Sequence, residues 1–222
     1  MAPSKNVLMV CGDYMEDYEA AVPFYALAAL GVAVHCAAPG KSPGDACLTA
    51  VHEFLGYELY TELPGHRFPI TVDFAAAAGD PSSYDALVVP GGRFVEQLST
   101  DAQAVSLVKA FAGELRRPVA LTCHSQLLLA AAGAMGGVRC TAFFSMRPVV
   151  ELAGGTWVAP DPFSLCVADG HVLTAIGWPA HGEIIRELLG AMGGRVLGGH
   201  GQGVLFLCAV SYLSLSISIL ES

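Results

Sequence analysis

Val119–Ala120–Leu121–Thr122–Cys123–His124–Ser125–Gln126 is the stretch on which the reading of this chain turns. Val119 to Thr122, entered from Pro118, is the short apolar run of a strand buried on both faces. Ser125 to Ala132 (SQLLLAAA) is strongly helix-forming. A strand that passes at once into a helix places the residue at the bend above the carboxyl edge of the sheet, where open α/β folds bind ligands. The same bend exposes a nucleophilic serine in hydrolases. Here the bend residue is Cys123, facing the positive end of the following helix, which favours thiolate over thiol. Such a thiolate attacks near neutral pH without a strong base beside it. The other six cysteines (Cys11, Cys36, Cys47, Cys140, Cys166, Cys208) read as core or inert thiols.

Working outward, the same alternation recurs. Asn6 to Cys11 is a buried strand, Pro23 to Leu30 a helix with proline near its start and Gly31 at its end, and Val32 to Ala37 a second strand. These make one right-handed βαβ unit. Lys41 to Asp80 is irregular and predicts a hairpin or excursion beside the sheet, with short β-like pieces such as Tyr57 to Tyr60. Tyr84 to Pro90 is another buried strand, and Asp101 to Gly113 carries helical spacing. Later come short strands at Arg139 to Ala142 and Val172 to Ala175, and helices at Val149 to Ala153 and His181 to Met192. Strands alternating with helices predict an α/β fold, a mainly parallel sheet covered on both faces.

Two further strand ends meet the same edge. After the first strand runs Gly12–Asp–Tyr–Met–Glu16–Asp17–Tyr18–Glu19, and after the Tyr84 strand Pro90–Gly91–Gly92–Arg93. Glycines there let backbone N–H groups approach a ligand oxygen, the makings of an oxyanion site. The acidic run is by default a solvated helix start. One of its carboxylates could instead reach over Cys123, be held protonated by desolvation and shuttle a proton. Glu96, just past the Gly–Gly–Arg turn, is a candidate for the cleft wall, and His181 reads as a surface or cap histidine. His35, His52 and His66 read as structural or solvent-exposed.

The chain has 222 residues, 54% of them hydrophobic and 14% charged, which argues for one packed domain and against disorder. Eleven Lys and Arg against 20 Asp and Glu leave a net charge of −9 and no basic face for nucleic acid. The seven cysteines form no CxxC pair, no cluster has metal-site spacing, and no signal peptide is evident. Reduced thiols in a cytoplasmic setting, with the nucleus as an additional one, are the expectation. Val204 to Leu220 is apolar, but it is short of the roughly 20 residues of a spanning helix and its second half alternates Leu/Ile with Ser. The expected division is a domain over residues 1–197 and an atypical tail over 198–222 outside the core, with no membrane attachment.

These residues resemble the DJ-1/PfpI superfamily. The carriers are TCHSQ at Thr122 to Gln126, VVPGGR at Val88 to Arg93 and CGDYMEDYE at Cys11 to Glu19. PGKSPGDAC (Pro39 to Cys47), TAVHEF (Thr49 to Phe54) and RCTA (Arg139 to Ala142) resemble its plant homologue D branch in particular. The resemblance implies a flavodoxin-like three-layer α/β sandwich, similar to class I glutamine amidotransferases, with the nucleophile at Cys123, its acid–base partner at His124 and a glutamate contacting the thiol at Glu19. Gly91, Gly92 and the His124 backbone would form the oxyanion site, with Ser125 and Glu96 beside the substrate. It implies a glutathione-independent glyoxalase that turns methylglyoxal into lactate, or a related deglycase, needing no metal and no organic cofactor. The implied partners are a small reactive carbonyl and further copies of the chain in a homo-oligomer. Ser125 stands where that family commonly has glycine, and the plant branch carries two such domains in tandem, so a truncated or aberrantly spliced form is an expectation here. Two other readings of Cys123 stand beside the enzyme. One is a redox-sensing thiol on a stress chaperone; the other is a cysteine peptidase.

Overall fold

The computed structural model describes residues 5–53 and 60–194. In chain order they form β1 (Asn6–Val10), α1 (Asp17–Ala29), β2 (Ala33–Ala37), β3 (Ala46–Val51), β4 (Leu63–Pro69), α2 (Phe74–Gly79), β5 (Ala86–Val89) and α3 (Phe94–Leu98). Then follow α4 (Ala102–Lys109), β6 (Val119–Thr122), α5 (Gln126–Ala131), β7 (Arg139–Cys140), α6 (Arg147–Leu152), β8 (Thr156–Trp157), β9 (Cys166–Asp169), β10 (Val172–Ala175) and α7 (His181–Ala191).

Among the described residues the main sheet has the order β2-β1-β5-β6-β10-β9. Every pairing in it is parallel except β9 with β10. Strands β5, β6 and β10 are buried at every position, as central strands covered on both faces must be. Helix α1 packs on α7, while α2 packs on α4 and α4 on α5, so helices form the outer layers and the sheet lies between them. This is the flavodoxin-like α/β sandwich that the sequence predicted. Its apolar centre runs through Leu8, Met9, Leu87, Leu121, Phe111 and Leu128, all fully buried or nearly so.

The irregular middle segment contains the expected hairpin. Strands β3 and β4 pair antiparallel and stand apart from the main sheet. Three readings need correcting. Helix α1 begins at Asp17, six positions before the predicted start, and carries Pro23 inside it. Proline there removes the hydrogen bond its own nitrogen would have given and crowds the carbonyl four residues back, and burial of the helix on the sheet outweighs that cost. Strands β8 and β9 were not read from the sequence: β8 has two residues and the β9 pattern is broken by the exposed Ala168. The third is His181, which is buried at the first position of α7. Most of the β-like piece at 57–60 and the whole 198–222 tail lie outside the described residues. No helix among the described residues is long and apolar enough to cross a membrane.

Candidate active site

Three loops at the carboxyl edge of β1, β5 and β6 build the site. At the end of β6, Cys123 has φ 60°, the left-handed region that non-glycine residues seldom enter. The surrounding hydrogen bonds impose it. Cys123 N–H donates to Ala175 O at 3.0 Å, Phe143 N–H to Cys123 O at 3.0 Å, and Ser125 N–H to Thr122 O at 3.0 Å. Gln126 adds a clamp: its Nε2 donates to Leu121 O (3.2 Å), Thr141 O (2.9 Å) and Ala175 O (3.2 Å). A backbone conformation over-determined in this way is typical of a nucleophile elbow. The bend predicted from the sequence is therefore present, and Cys123 sits at it.

Cys123 is 5% exposed, on the edge of a cluster of Ala142, Phe143, Met146 and Ile176. His124 Nδ1 lies 3.1 Å from its sulfur. The imidazole stacks on Phe143, with centroids 5.1 Å apart, and meets the edge of Tyr60 at 6.1 Å. Its other nitrogen, Nε2, is 3.3 Å from Ser145 Oγ. Burial pulls the His124 pKa below its ordinary value, so the ring is neutral near pH 7 and able to accept a proton.

Glu19 is fully buried, and its Oε2 accepts the Gly91 N–H at 2.6 Å. Burial first, and then the charge of Glu16, push its carboxyl up to about 8. A carboxyl in that state carries a proton at neutral pH, as the desolvation argument from sequence required. The hydrogen bond that the Cys123 sulfur makes is with His124; Glu19 opposes the thiolate only once its own carboxyl has ionised.

The surroundings of Cys123 work against the expected resting thiolate. Burial pushes the Cys123 thiol well above its ordinary value, and Glu19 and Glu16, where ionised, push it further. The N–H groups of Gly92 and His124 pull the other way without prevailing. The N–H groups at the start of α5 act only within its first turn, and their pull is smaller than the desolvation of the sulfur. Ionisation of Cys123 must therefore be coupled to transfer of its proton, and the neutral His124 stands in position to take it.

The remaining sequence candidates fall out as follows. Gly91 is required by close approach: a Cβ there would run into Cys123 Cβ and Glu19 Oε2, and would lie 2.9 Å from Thr122 O. Its N–H is taken by Glu19, so the oxyanion donors facing the sulfur are Gly92 and His124, not Gly91. Gly92 has φ 100°, and a side chain on it would strike the backbone of Tyr14, Met15 and Glu16. Ser125 is fully buried with its hydroxyl donating to Thr122 O at 2.7 Å, so it braces the elbow and adds nothing to the substrate side. Glu96 is on the outer rim, 3.7 Å from Arg93, in an open cavity of about 640 Å³ shared with Asp13, Tyr14, Glu62 and Gln97. Its charge reaches His124. His181, read as a surface or cap histidine, stands at the start of α7 but is only 7% exposed and makes no side-chain cap hydrogen bond, and burial holds its pKa down at about 4.

Sequence reasoning missed Tyr60 and His52 at this site, and tied the 143–147 stretch to the pocket without assigning roles to Phe143 and Ser145. Tyr60 packs on His52 (4.7 Å) and Phe143 (5.4 Å), and His52, also read as structural, is 3.4 Å from Glu62. Ser145 lies in a short 3-10 turn (Phe144–Met146), and His52, although inside the TAVHEF string, shows no chemistry by its own neighbours; tertiary packing links these residues to the sulfur through Tyr60 and His124. Among the described residues no group of three His, Cys, Asp or Glu is placed to hold a metal ion.

A model of the DJ-1/PfpI family matches residues 5–191. The chain belongs to the DJ-1/PfpI family. Among relatives in that family, protein DJ-1 homolog D of Arabidopsis thaliana is 46% identical over 208 residues, 94% of this chain and 53% of that protein. DJ-1 protein homolog F of the same plant is 44% identical over 225 residues, 97% of this chain and 56% of that one. The chain thus spans about half the length of these plant relatives. A Thermococcus kodakarensis protein named a deglycase is 30% identical over 168 residues, 75% of this chain and 86% of that protein. Among solved structures, Drosophila melanogaster DJ-1beta matches with a TM-score of 0.68 at 21% identity, covering 86% of this chain and 92% of that one. That last likeness is one of fold.

In DJ-1/PfpI terms the TCHSQ, VVPGGR and CGDYMEDYE strings all meet at one sheet edge. The assembled parts are a thiol with a base at 3.1 Å, a protonated buried carboxyl and two backbone donors. Together they can add sulfur to an electrophilic carbon and move a proton on and off the adduct.

Proposed function

We propose that this DJ-1/PfpI protein is a cofactor-independent enzyme acting on 2-oxoaldehydes, converting methylglyoxal to lactate without glutathione, with deglycation of the corresponding adducts as a related reaction. The observation that carries the reading is the Cys123 Sγ to His124 Nδ1 contact of 3.1 Å beside the buried Glu19 carboxyl. The deglycase name of the archaeal relative supports the same substrate class.

His124 takes the Cys123 proton as sulfur adds to the aldehyde carbon, and the carbonyl oxygen, facing the Gly92 and His124 N–H groups, is protonated to a hemithioacetal. Removal of the hydrogen from that carbon gives an enediol. Return of a proton to the neighbouring carbon gives a thioester of lactate, and the Glu19 carboxyl and His124 exchange the proton between the two positions. Water then cleaves the thioester, releasing lactate and restoring the thiol, so the net change is addition of one water. The sensor reading of Cys123 loses ground because a desolvated, protonated sulfur is slow to oxidise. The 5% exposure of Cys123 likewise disfavours a peptidase, which must admit a polypeptide.

The test is lactate formation from methylglyoxal without glutathione. Wild type is expected to turn over and Cys123→Ala to show none. Equal turnover in the two removes the nucleophile assignment.

A further inference from the structure

Glu16 has no role in the reaction just described, yet it is as buried as Glu19 and stands three residues before it. It caps α1, its Oε2 accepting the Glu19 N–H at 2.7 Å. Serine, threonine, aspartate and asparagine serve that position best, their short side chains reaching the first turn. A glutamate there calls for another reason. The backbone holds it firmly: its N–H donates to Gly91 O at 2.9 Å, and it bridges Ala50 of β3. Its second oxygen, Oε1, is buried with no hydrogen-bond partner among the described residues. Leaving such an atom unsatisfied is unfavourable unless it carries a proton or gains a function.

We propose that Glu16 is a positioning residue of this site, its carboxyl setting the charge carried by Glu19 and, through the pair, the readiness of Cys123 to lose its proton. The inference rests on Cys123 being the nucleophile and adds a second carboxyl to its control.

The groups facing the pair are few. Asp17 (itself paired with His66 and Thr49) comes from α1, the His52 backbone from the end of β3 and the Gly91 N–H from the turn after β5. Thr122 and Cys123 come from the elbow, and the Trp178 backbone from the turn before α7. Asp17 bears and Cys123 develops negative charge, while the backbone groups and Thr122 are neutral donors. Burial, aided by the neighbouring carboxylate in each case, holds Glu16 up at about 7 and Glu19 at about 8. The pair therefore keeps one proton near neutral pH, and its second ionisation directly opposes the thiolate.

The experiment follows alkylation of Cys123 by iodoacetamide against pH, read on the Cys123 peptide of the full chain by mass spectrometry. Glu16→Gln keeps a carbonyl oxygen for the Glu19 N–H and removes the charge. Its alkylation midpoint is expected about one pH unit below wild type, because one of the charges opposing the thiolate is gone. Glu16→Ser supplies a good cap without a carboxyl, is expected to shift equally, and decides the matter should the glutamine variant fail to fold. Glu16→Asp should bring the midpoint back toward wild type. A midpoint unmoved in both neutral variants, or moved upward, overturns the proposal and leaves Glu16 a helix cap alone. Alkylation needs no turnover, so a protein that forms no lactate fails the proposed function without altering this result.

Discussion

Glu19 Oε2 accepts the N–H of Gly91 at 2.6 Å, across 72 positions of sequence. This bond ties the loop after β1 to the turn after β5, and it fixes which backbone donors are left for a substrate oxygen. It also fixes Glu19 in a place without water, where its carboxyl keeps a proton.

That proton makes stability depend on pH. Glu19 is raised from 4.5 to about 8 and Glu16 to about 7, so the native state holds protons that the unfolded chain has released. Their contribution is fully present at low pH and is lost as pH rises toward 8. His181, lowered from 6.5 to about 4, runs the opposite way, its contribution present above 6.5 and lost on acidification. Between pH 6.5 and 8 the two glutamates outweigh the last part of the opposite titration of His52, His124 and His181, all lowered by burial, and the stability read by urea unfolding is expected to fall, on the order of 1–2 kcal/mol. Glu19→Gln should flatten that slope while lowering lactate formation by about 10²–10⁴. A slope unchanged in the variant would mean that Glu19 is ionised throughout.

Gly91→Ala should damage structure and site together. The added methyl meets Cys123 Cβ, Glu19 Oε2 and Thr122 O, two of them backbone or nearly so and unable to swing aside. A loss of about 1–3 kcal/mol by thermal or urea unfolding is expected, with turnover reduced even at temperatures where the variant is folded. A folded variant with wild-type turnover would show that Glu19 need not sit on Gly91.

Ser125→Gly tests the departure from the family pattern. The hydroxyl is turned into the elbow, onto Thr122 O at 2.7 Å, and the residue has no exposed surface. Its removal opens no room for substrate. Stability should drop by about 1–2 kcal/mol through the lost hydrogen bond and the added backbone freedom, with turnover within about threefold of wild type. A tenfold gain in turnover would show that the serine restricts the site after all.

Much of this was legible in the residues. The runs Asn6 to Cys11, Tyr84 to Pro90 and Pro118 to Thr122 announced buried strands, because a strand covered on both faces must be apolar along its length. The bend at Cys123 followed from a strand meeting a helix without a spacer. The start of α1 was misplaced because Pro23 is a strong local signal for a helix beginning, while the true start is set by Glu16 capping a helix whose acidic first turn is buried. The 143–147 stretch departs from the family pattern and so bears on the pocket, but the roles of Phe143 and Ser145 in it, and Tyr60 altogether, were not legible, since nothing within their own neighbourhoods distinguishes a pocket wall from any loop.

The sequence by itself determined the central strands β1, β2, β5, β6 and β10, the cysteine at the bend and the glycines beside it, because each follows from local periodicity, side-chain volume and backbone freedom. Only the tertiary structure decided the charge states. Whether Cys123 rests as thiol or thiolate, and whether Glu16 and Glu19 hold a proton, depends on how much water the fold excludes and which groups it brings near, and desolvation is a property of the packed whole.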